Sequence, residues 1–398
     1  MLKTASLDRQ PEGMGNPSRP SWLRRNRWWL IALSVLIVSH VISTLLGVAG
    51  AHHDSLPVWS QRHYDQNSGG VTQGAGGFLT AWDSYWYLNA AQHGWPHVLN
   101  PNLENTTAFF PALPLALRGV HALFGFTWTV TGFVVEAVIE VAAVLAVSIL
   151  ARRVLGERVG NYAVILFCLF PGAYIFSQVY SEPLFILAAA TCLYGLHRRW
   201  WWMAGVAASL AGATRPTGVV LMGCCAWVAL REIRLRRDWW SLIAVALSPI
   251  GLLAFVIFLW FRTGTARAYL LTQQQAWHQT PTLQAIPDEL NSFFTLHQAW
   301  AWVVLIFLLW GVVGLGLLAV HVYRRRMPSE WFVFCVGGIL LTVTSNFVGF
   351  RPRMALVTFP LIFAYAGFLR RWWALVPAVG ICVAGLALFS YVVASYIP

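Results

Sequence analysis

Charge is scarce in this 398-residue chain: 11% of it is Asp, Glu, Lys or Arg, against roughly 25% in a soluble domain, while 58% is hydrophobic. That balance excludes an ordinary water-soluble globule and points to an all-α polytopic membrane protein. Lysine is almost missing, with Lys3 alone among 27 basic residues. A net charge of +12 would suit a nucleic-acid binder, but the arginines stand in short clusters between apolar runs, so no nucleic-acid partner is expected. Polar segments lack cysteine: Cys168, Cys192, Cys224, Cys225, Cys335 and Cys382 all fall in apolar runs. They read as small buried hydrophobes, which leaves no disulfide frame and no redox pair. His52, His53, His63, His93 and His97 show no zinc-ligand spacing, so neither a metal nor a cofactor is expected. Matched pairs of Gly/Pro-broken helices are also missing, which counts against an inverted-repeat transporter.

What is present is a succession of apolar runs. Residues 1–26 read as a disordered basic cytoplasmic tail, and 27–398 as a single transmembrane domain. Arg24, Arg25 and Arg27 precede the first run, which is too long for a signal-peptide core and reads as a retained helix. Runs at 28–50, 128–150, 160–178, 180–197, 200–214, 216–231, 239–262, 299–322, 331–349, 354–369 and 372–395 predict about eleven crossings, several of them short for a hydrocarbon core of roughly 30 Å. Clusters around Arg152, Arg198, Arg231, Arg324 and Arg370 recur at alternate connections. By the positive-inside rule they place the N-terminus in the cytoplasm and the C-terminus outside, as for a plasma-membrane protein. Two long polar segments, 51–127 and 263–298, then face outward. Within the first, 82–93 predicts an amphipathic helix lying on the membrane surface, with Trp82 and Trp86 sharing a face. Pro111 and Pro114 are expected to break any regular spanning helix over 108–117.

Asp83 stands in this first outer segment beside Trp82, Tyr85, Trp86 and Tyr87, aromatic residues that favour the headgroup level. A carboxylate there serves either as a helix cap or as a general base acting on a membrane-tethered substrate. Arg215, in Ala213-Thr214-Arg215-Pro216-Thr217-Gly218, needs a counter-charge; a phosphate and Glu182 are both candidates. Arg351 and Arg353 flank Pro352 at a helix start, where they either snorkel or hold a phosphate. Gln178, Tyr180 and Glu182 line an outer mouth and suit sugar hydroxyls as well as an arginine partner. Trp277 and His278 offer a stacking face and a donor in the second outer loop. Glu136 and Glu140 share one face of the second run, where acids are costly and either find a structural partner or line a groove.

Taken in order, Trp82-Asp83 with Tyr87 and Gly94, Ala108-Phe109-Phe110-Pro111 with Pro114, Phe170-Pro171 with Tyr180-Ser181-Glu182, Ala213 to Gly218, and Pro352-Arg353-Met354 with Phe359-Pro360 carry a resemblance. The chain resembles the PIG-V-like family of membrane mannosyltransferases, within the polyprenyl-phosphate-sugar-dependent enzymes of GT-C fold. It departs from that pattern at Ala81, at Pro216-Thr217 and at Met354. The resemblance implies a GT-C-like bundle whose long first outer loop carries interfacial helices. It also implies inverting transfer of mannose from polyprenyl-phosphate-mannose to a lipid or glycolipid acceptor on the extracytoplasmic face. In that reading Asp83 is the base, Arg215, Arg351 and Arg353 take the donor phosphate, and Trp82, Tyr87, Gln178, Tyr180, Glu182, Trp277 and His278 contact substrate. The competing expectation is a transporter or flippase of a lipid-linked glycan.

Overall fold

The computed structural model describes residues 28–53, 82–282, 299–345, 349–369 and 371–393, with single positions at 284, 287 and 291. The tail expected at 1–26, the loop stretch holding Asp54, His63 and Asp65, and Ala81 lie outside the described residues, as does most of 283–298. Among the described residues sixteen helices follow one another: α1 (Trp28–His53), α2 (Asp83–His93), α3 (Ala112–Phe124), α4 (Trp128–Leu155), α5 (Glu157–Cys168), α6 (Ser181–Arg198), α7 (Trp201–Thr214), α8 (Val219–Arg236), α9 (Leu242–Leu247), α10 (Ile250–Thr263), α11 (Ala268–Gln275), α12 (Ala299–Tyr323), α13 (Ser329–Val343), α14 (Pro352–Val357), α15 (Pro360–Ala366) and α16 (Trp372–Val393). Short 3-10 turns stand at Thr106–Ala108, Pro171–Ser177, Pro216–Gly218 and Trp239–Ser241. Among the described residues the one extended pairing is an isolated bridge between Pro281 and Ser345, so the chain is all-α.

Each expected apolar run contains helix among the described residues. Among those residues five segments are long and apolar enough to cross a membrane by themselves, namely Trp28–Gly50, Trp128–Leu155, Trp239–Thr263, Ala301–Tyr323 and Trp372–Val393. A sixth is the pair α5 with Pro171–Ser177, bent by 71°. Proline marks several starts among the shorter elements. Pro171, Pro216, Pro352 and Pro360 each open a new turn or helix, because a residue without an N–H fits a first turn and not a helix interior.

No regular spanning helix runs over 108–117: Pro111 caps α3 and Pro114 sits in its first turn, so the prolines mark where that helix starts. Helix α2 forms where expected, and Ser84, Trp86, Tyr87, Leu88, Ala90 and Ala91 on it are buried in protein. Trp82 and Trp86 do not share a face. Trp82 is the residue before the helix, at φ 58°, and joins the main core, whereas Trp86 joins a separate cluster with Phe109, Leu113 and Leu117. The polar segments 82–127 and 263–282 are tied together, since the Thr107 and Thr272 hydroxyls share a hydrogen bond of 2.7 Å and Phe110 packs on Tyr269.

Candidate active site

Asp83 is the first residue of α2, where the positive end of the helix dipole favours a carboxylate. It is aimed by an unusual residue before it. Trp82 holds left-handed backbone, φ 58° and ψ −123°, sparsely populated for a side chain of its size, and its indole Nε1 donates to the Val393 carbonyl of α16 at 3.0 Å. Strain of this kind persists only where surrounding contacts fix the residue, and here they fix the direction in which Asp83 leaves the backbone.

Arg353 comes to Asp83 from the far end of the chain. Pro352 begins α14, and Arg353, next to it, donates from Nη1 to Asp83 Oδ2 at 2.9 Å. The turn Pro171–Ser177 presses on this start so closely that a Cβ on Gly172 would run into the Pro352 carbonyl. A side chain at 172 would therefore displace the arginine. The Arg353 guanidinium lies 5.6 Å from the Tyr180 ring centre, and its Nε is 3.7 Å from Glu182 Oε1. The same Glu182 oxygen pairs with Arg215 Nη1, while Arg215 Nη2 donates to the Met354 sulfur at 3.8 Å. Asp83, Arg353, Glu182 and Arg215 thus form one chain of alternating charge, two carboxylates against two guanidinia. Its members differ in burial. The Glu182 side chain is 1% exposed and Asp83 30%, so the network is anchored in protein at Glu182 and opens at Asp83.

Aromatic and hydroxyl groups surround this chain. The Tyr87 hydroxyl donates to Ser181 Oγ at 2.6 Å, tying α2 to the residue before Glu182, and burial pushes its phenol well above the ordinary value. Trp86 stacks on Phe109 with ring centres 5.8 Å apart, and Trp277 meets both rings edge-on. Gln178 is buried two residues before Tyr180 in extended backbone, and Arg351 caps α14 part-buried. His278 is not drawn in; it is exposed, with φ 51°. Of the residues singled out from sequence, Asp83, Arg353, Glu182, Arg215, Tyr180, Tyr87 and Trp82 therefore come together, while Trp277 belongs to the aromatic wall. Ser181, Met354 and His40 gave no expectation. His40 carried the one usable signal, an ionisable residue inside the first apolar run. Beside the wall, Tyr85, Trp86, Asn89, His93, Glu104 and Arg262 line a groove of about 610 Å³. Among the described residues no group of three or more His, Cys, Asp or Glu is placed to hold a metal.

Chemically, a partly exposed carboxylate faces one guanidinium, Arg353, and a second, Arg215, follows beyond Glu182 in the same ion-pair chain. Such a site suits a reaction in which a hydroxyl loses a proton while a neighbouring oxygen gains negative charge.

Comparison with known proteins fits this geometry. Residues 32–278 match the family described as Mannosyltransferase (PIG-V). The chain is 26% identical over 273 residues to the GPI alpha-1,6-mannosyltransferase 2 of Mus musculus, covering 65% of this chain and 53% of that protein. With the Cricetulus griseus protein of the same name it shares 31% identity over 163 residues, 38% of this chain and 32% of the relative. It thus spans between a third and about half of those relatives. In structure it resembles ArnT from Cupriavidus metallidurans bound to undecaprenyl phosphate, with TM-score 0.53, 12% identity, and 90% of this chain and 63% of that one covered. It also resembles the Archaeoglobus fulgidus oligosaccharyltransferase in its apo form, with TM-score 0.51, 14% identity, and 94% and 57% covered. These likenesses give the fold, that of the GT-C transferases. The family match takes in Asp83, Glu182 and Arg215 together, and the chain belongs to the PIG-V mannosyltransferase family.

Proposed function

We propose that the protein is an inverting membrane mannosyltransferase that takes its sugar from polyprenyl-phosphate-mannose and gives it to a hydroxyl of a lipid-linked or glycolipid acceptor on the extracytoplasmic face. The contact between Asp83 and Arg353 carries this reading. It sets a base beside a phosphate-binding cation at the first turn of an outer helix, at the end of a charge chain rooted in Glu182. Arginine clusters on alternate connections support a cytoplasmic N-terminus and an outer position for Asp83, Arg215 and Arg353. The named activity of the mammalian relatives supports mannose as the sugar.

The donor phosphate enters on the arginine side and displaces the Asp83 carboxylate from Arg353. Asp83 is thereby released as a base only when a donor is bound. The acceptor hydroxyl gives its proton to Asp83, its oxygen forms a bond to the anomeric carbon, and the bond from that carbon to the phosphate oxygen breaks with its electron pair passing to phosphate. Arg353 and Arg215 meet the growing charge, so no separate acid is needed. Removing one such charge stabiliser elsewhere costs on the order of 10²–10³ in rate, the scale expected for Arg353→Ala. Tyr85, Trp86 and Asn89 in the outer groove supply the stacking face and amide that a sugar ring uses.

The test is reconstitution of the purified protein in liposomes with radiolabelled polyprenyl-phosphate-mannose or, in parallel, a nucleotide-linked mannose. Transfer to a lipid fraction from the first donor alone supports the reading; transfer from the nucleotide sugar alone, or none from either, contradicts it.

A further inference from the structure

On the other side of the segment that delivers Tyr180 and Glu182, α1 and α4 part to leave a fissure of about 650 Å³, floored by Phe176, Ser177 and Gln178. Its walls are apolar, and Ile37, Val41 and Leu45 stand exposed on its lip, so it opens sideways towards lipid. Three ionisable groups break the apolar lining: His40 on α1, and Glu136 and Glu140 on α4. Among the described residues neither arginine nor lysine lines it. Glu140 lies 3.7 Å from His40 Nδ1, which answers its charge when the imidazole is protonated. Glu136 is 4% exposed, yet among the described residues neither of its carboxyl oxygens finds a hydrogen-bond partner. It also sits about 12 Å along α4 from Trp128, at 1.5 Å per residue, inside the span rather than at its edge.

An acid at that depth needs a partner, and the fissure supplies the room for one. The lining decides its chemistry. A phosphate would meet two carboxylates, with His40 already beside Glu140, and a plain hydrocarbon would leave Glu136 unanswered. An ammonium group answers Glu136 directly, and a chain attached to it lies along the apolar walls and leaves through the lip.

We propose that this fissure admits, laterally from the bilayer, an acceptor lipid whose head carries a protonated amine, with the ammonium seated on Glu136. Phosphate and amine are then sorted to opposite sides of the Phe176–Glu182 segment, the donor phosphate to Arg353 and Arg215 and the amine-bearing lipid to Glu136. The name acceptor rests on the transferase reading; the amine site itself rests on the fissure alone.

The experiment measures binding of sphingosine, an amine-bearing lipid without phosphate, and its N-acetylated derivative to the purified full chain by native mass spectrometry. The variants are Glu136→Gln, Glu136→Asp and Asp83→Asn, each checked for folding by thermal unfolding. The wild type and Asp83→Asn should bind the amine probe about tenfold more tightly than the N-acetylated one. Glu136→Gln should lose that preference and Glu136→Asp should keep part of it. Equal binding of the two probes by the wild type, or an unchanged preference in Glu136→Gln, overturns the proposal. Displacement of bound probe from the wild type by octylamine and not by octanol makes the same decision without any variant. Because binding is read apart from sugar transfer, loss of the amine preference and loss of the transferase reading are seen separately.

Discussion

Asp83 and Glu182 touch the same guanidinium, yet their neutralisation should have opposite consequences. In Glu182→Gln the charge is removed from a side chain that is 1% exposed and answers both Arg215 and Arg353, which are themselves 14% and 10% exposed. Breaking a buried pair from one side costs about 3–5 kcal/mol, because the partner charge stays buried without compensation. Here two guanidinia are left with the Asp83 carboxylate as their remaining acid in the chain. That loss is a large share of the roughly 5–15 kcal/mol that holds a typical domain together. Asp83→Asn removes a charge that is 30% exposed and leaves the buried Arg353 with Glu182 at 3.7 Å and an amide in place of its carboxylate partner, so its cost is that of one imperfectly answered buried group, about 1–3 kcal/mol. The protein carries its own reporter. Cys168, Cys192, Cys224, Cys225 and Cys335 are buried free thiols, so a thiol-reactive fluorophore reports unfolding as temperature rises, above a baseline from the half-buried Cys382. Glu182→Gln should unfold many degrees below wild type, and Asp83→Asn within a few degrees of it. Comparable losses in the two variants, or a Glu182→Gln protein as stable as wild type, would refute the assignment of Glu182 as the buried anchor.

Three further outcomes follow from the same geometry. Gly172→Ala should lower transfer by at least tenfold while membrane insertion is kept, because the added Cβ collides with the Pro352 carbonyl and shifts Arg353; transfer kinetics with a fixed donor check this. Burial pushes the Tyr269 phenol up to about 12 from an ordinary value near 10, so its contribution to stability is full below pH 10 and is lost as pH rises towards 12. Tyr269→Phe should show a shallower loss of stability between pH 10 and 12 in thermal unfolding scans. His278→Ala should leave transfer unchanged, whereas Trp277→Ala, which strips an edge from the Trp86 and Phe109 rings, should raise the acceptor KM several-fold.

The sequence announced the charged residues of the site because charge is costly in a chain this apolar. Asp83, Glu182, Arg215 and Arg353 each stand out against apolar or aromatic neighbours, three of them next to a proline that marks the end of a run or helix. Their pairing was not legible. Asp83 and Arg353 are separated by 270 positions, and no local period says which outer ends of a helical bundle meet. Sequence leaves Glu182 open between sugar and arginine, and the structure sets two guanidinia beside it. The helix at 82–93 is readable from spacing, but the left-handed turn at Trp82 is not, since it is held by the contact with α16 rather than by the local sequence. Hydropathy finds apolar runs, whereas prolines and bends divide them into helices too short to span by themselves.

The central claim is that Asp83 is the base whose release from Arg353 permits transfer. Its most direct measurement is single-turnover mannose transfer by Asp83→Asn in liposomes, with donor binding recorded on the same sample. The account predicts donor binding equal to or tighter than wild type, because Arg353 no longer answers a competing carboxylate, together with transfer reduced by about 10²–10⁴, the contribution typical of a positioned base. Transfer at the wild-type rate by a folded Asp83→Asn protein would contradict it.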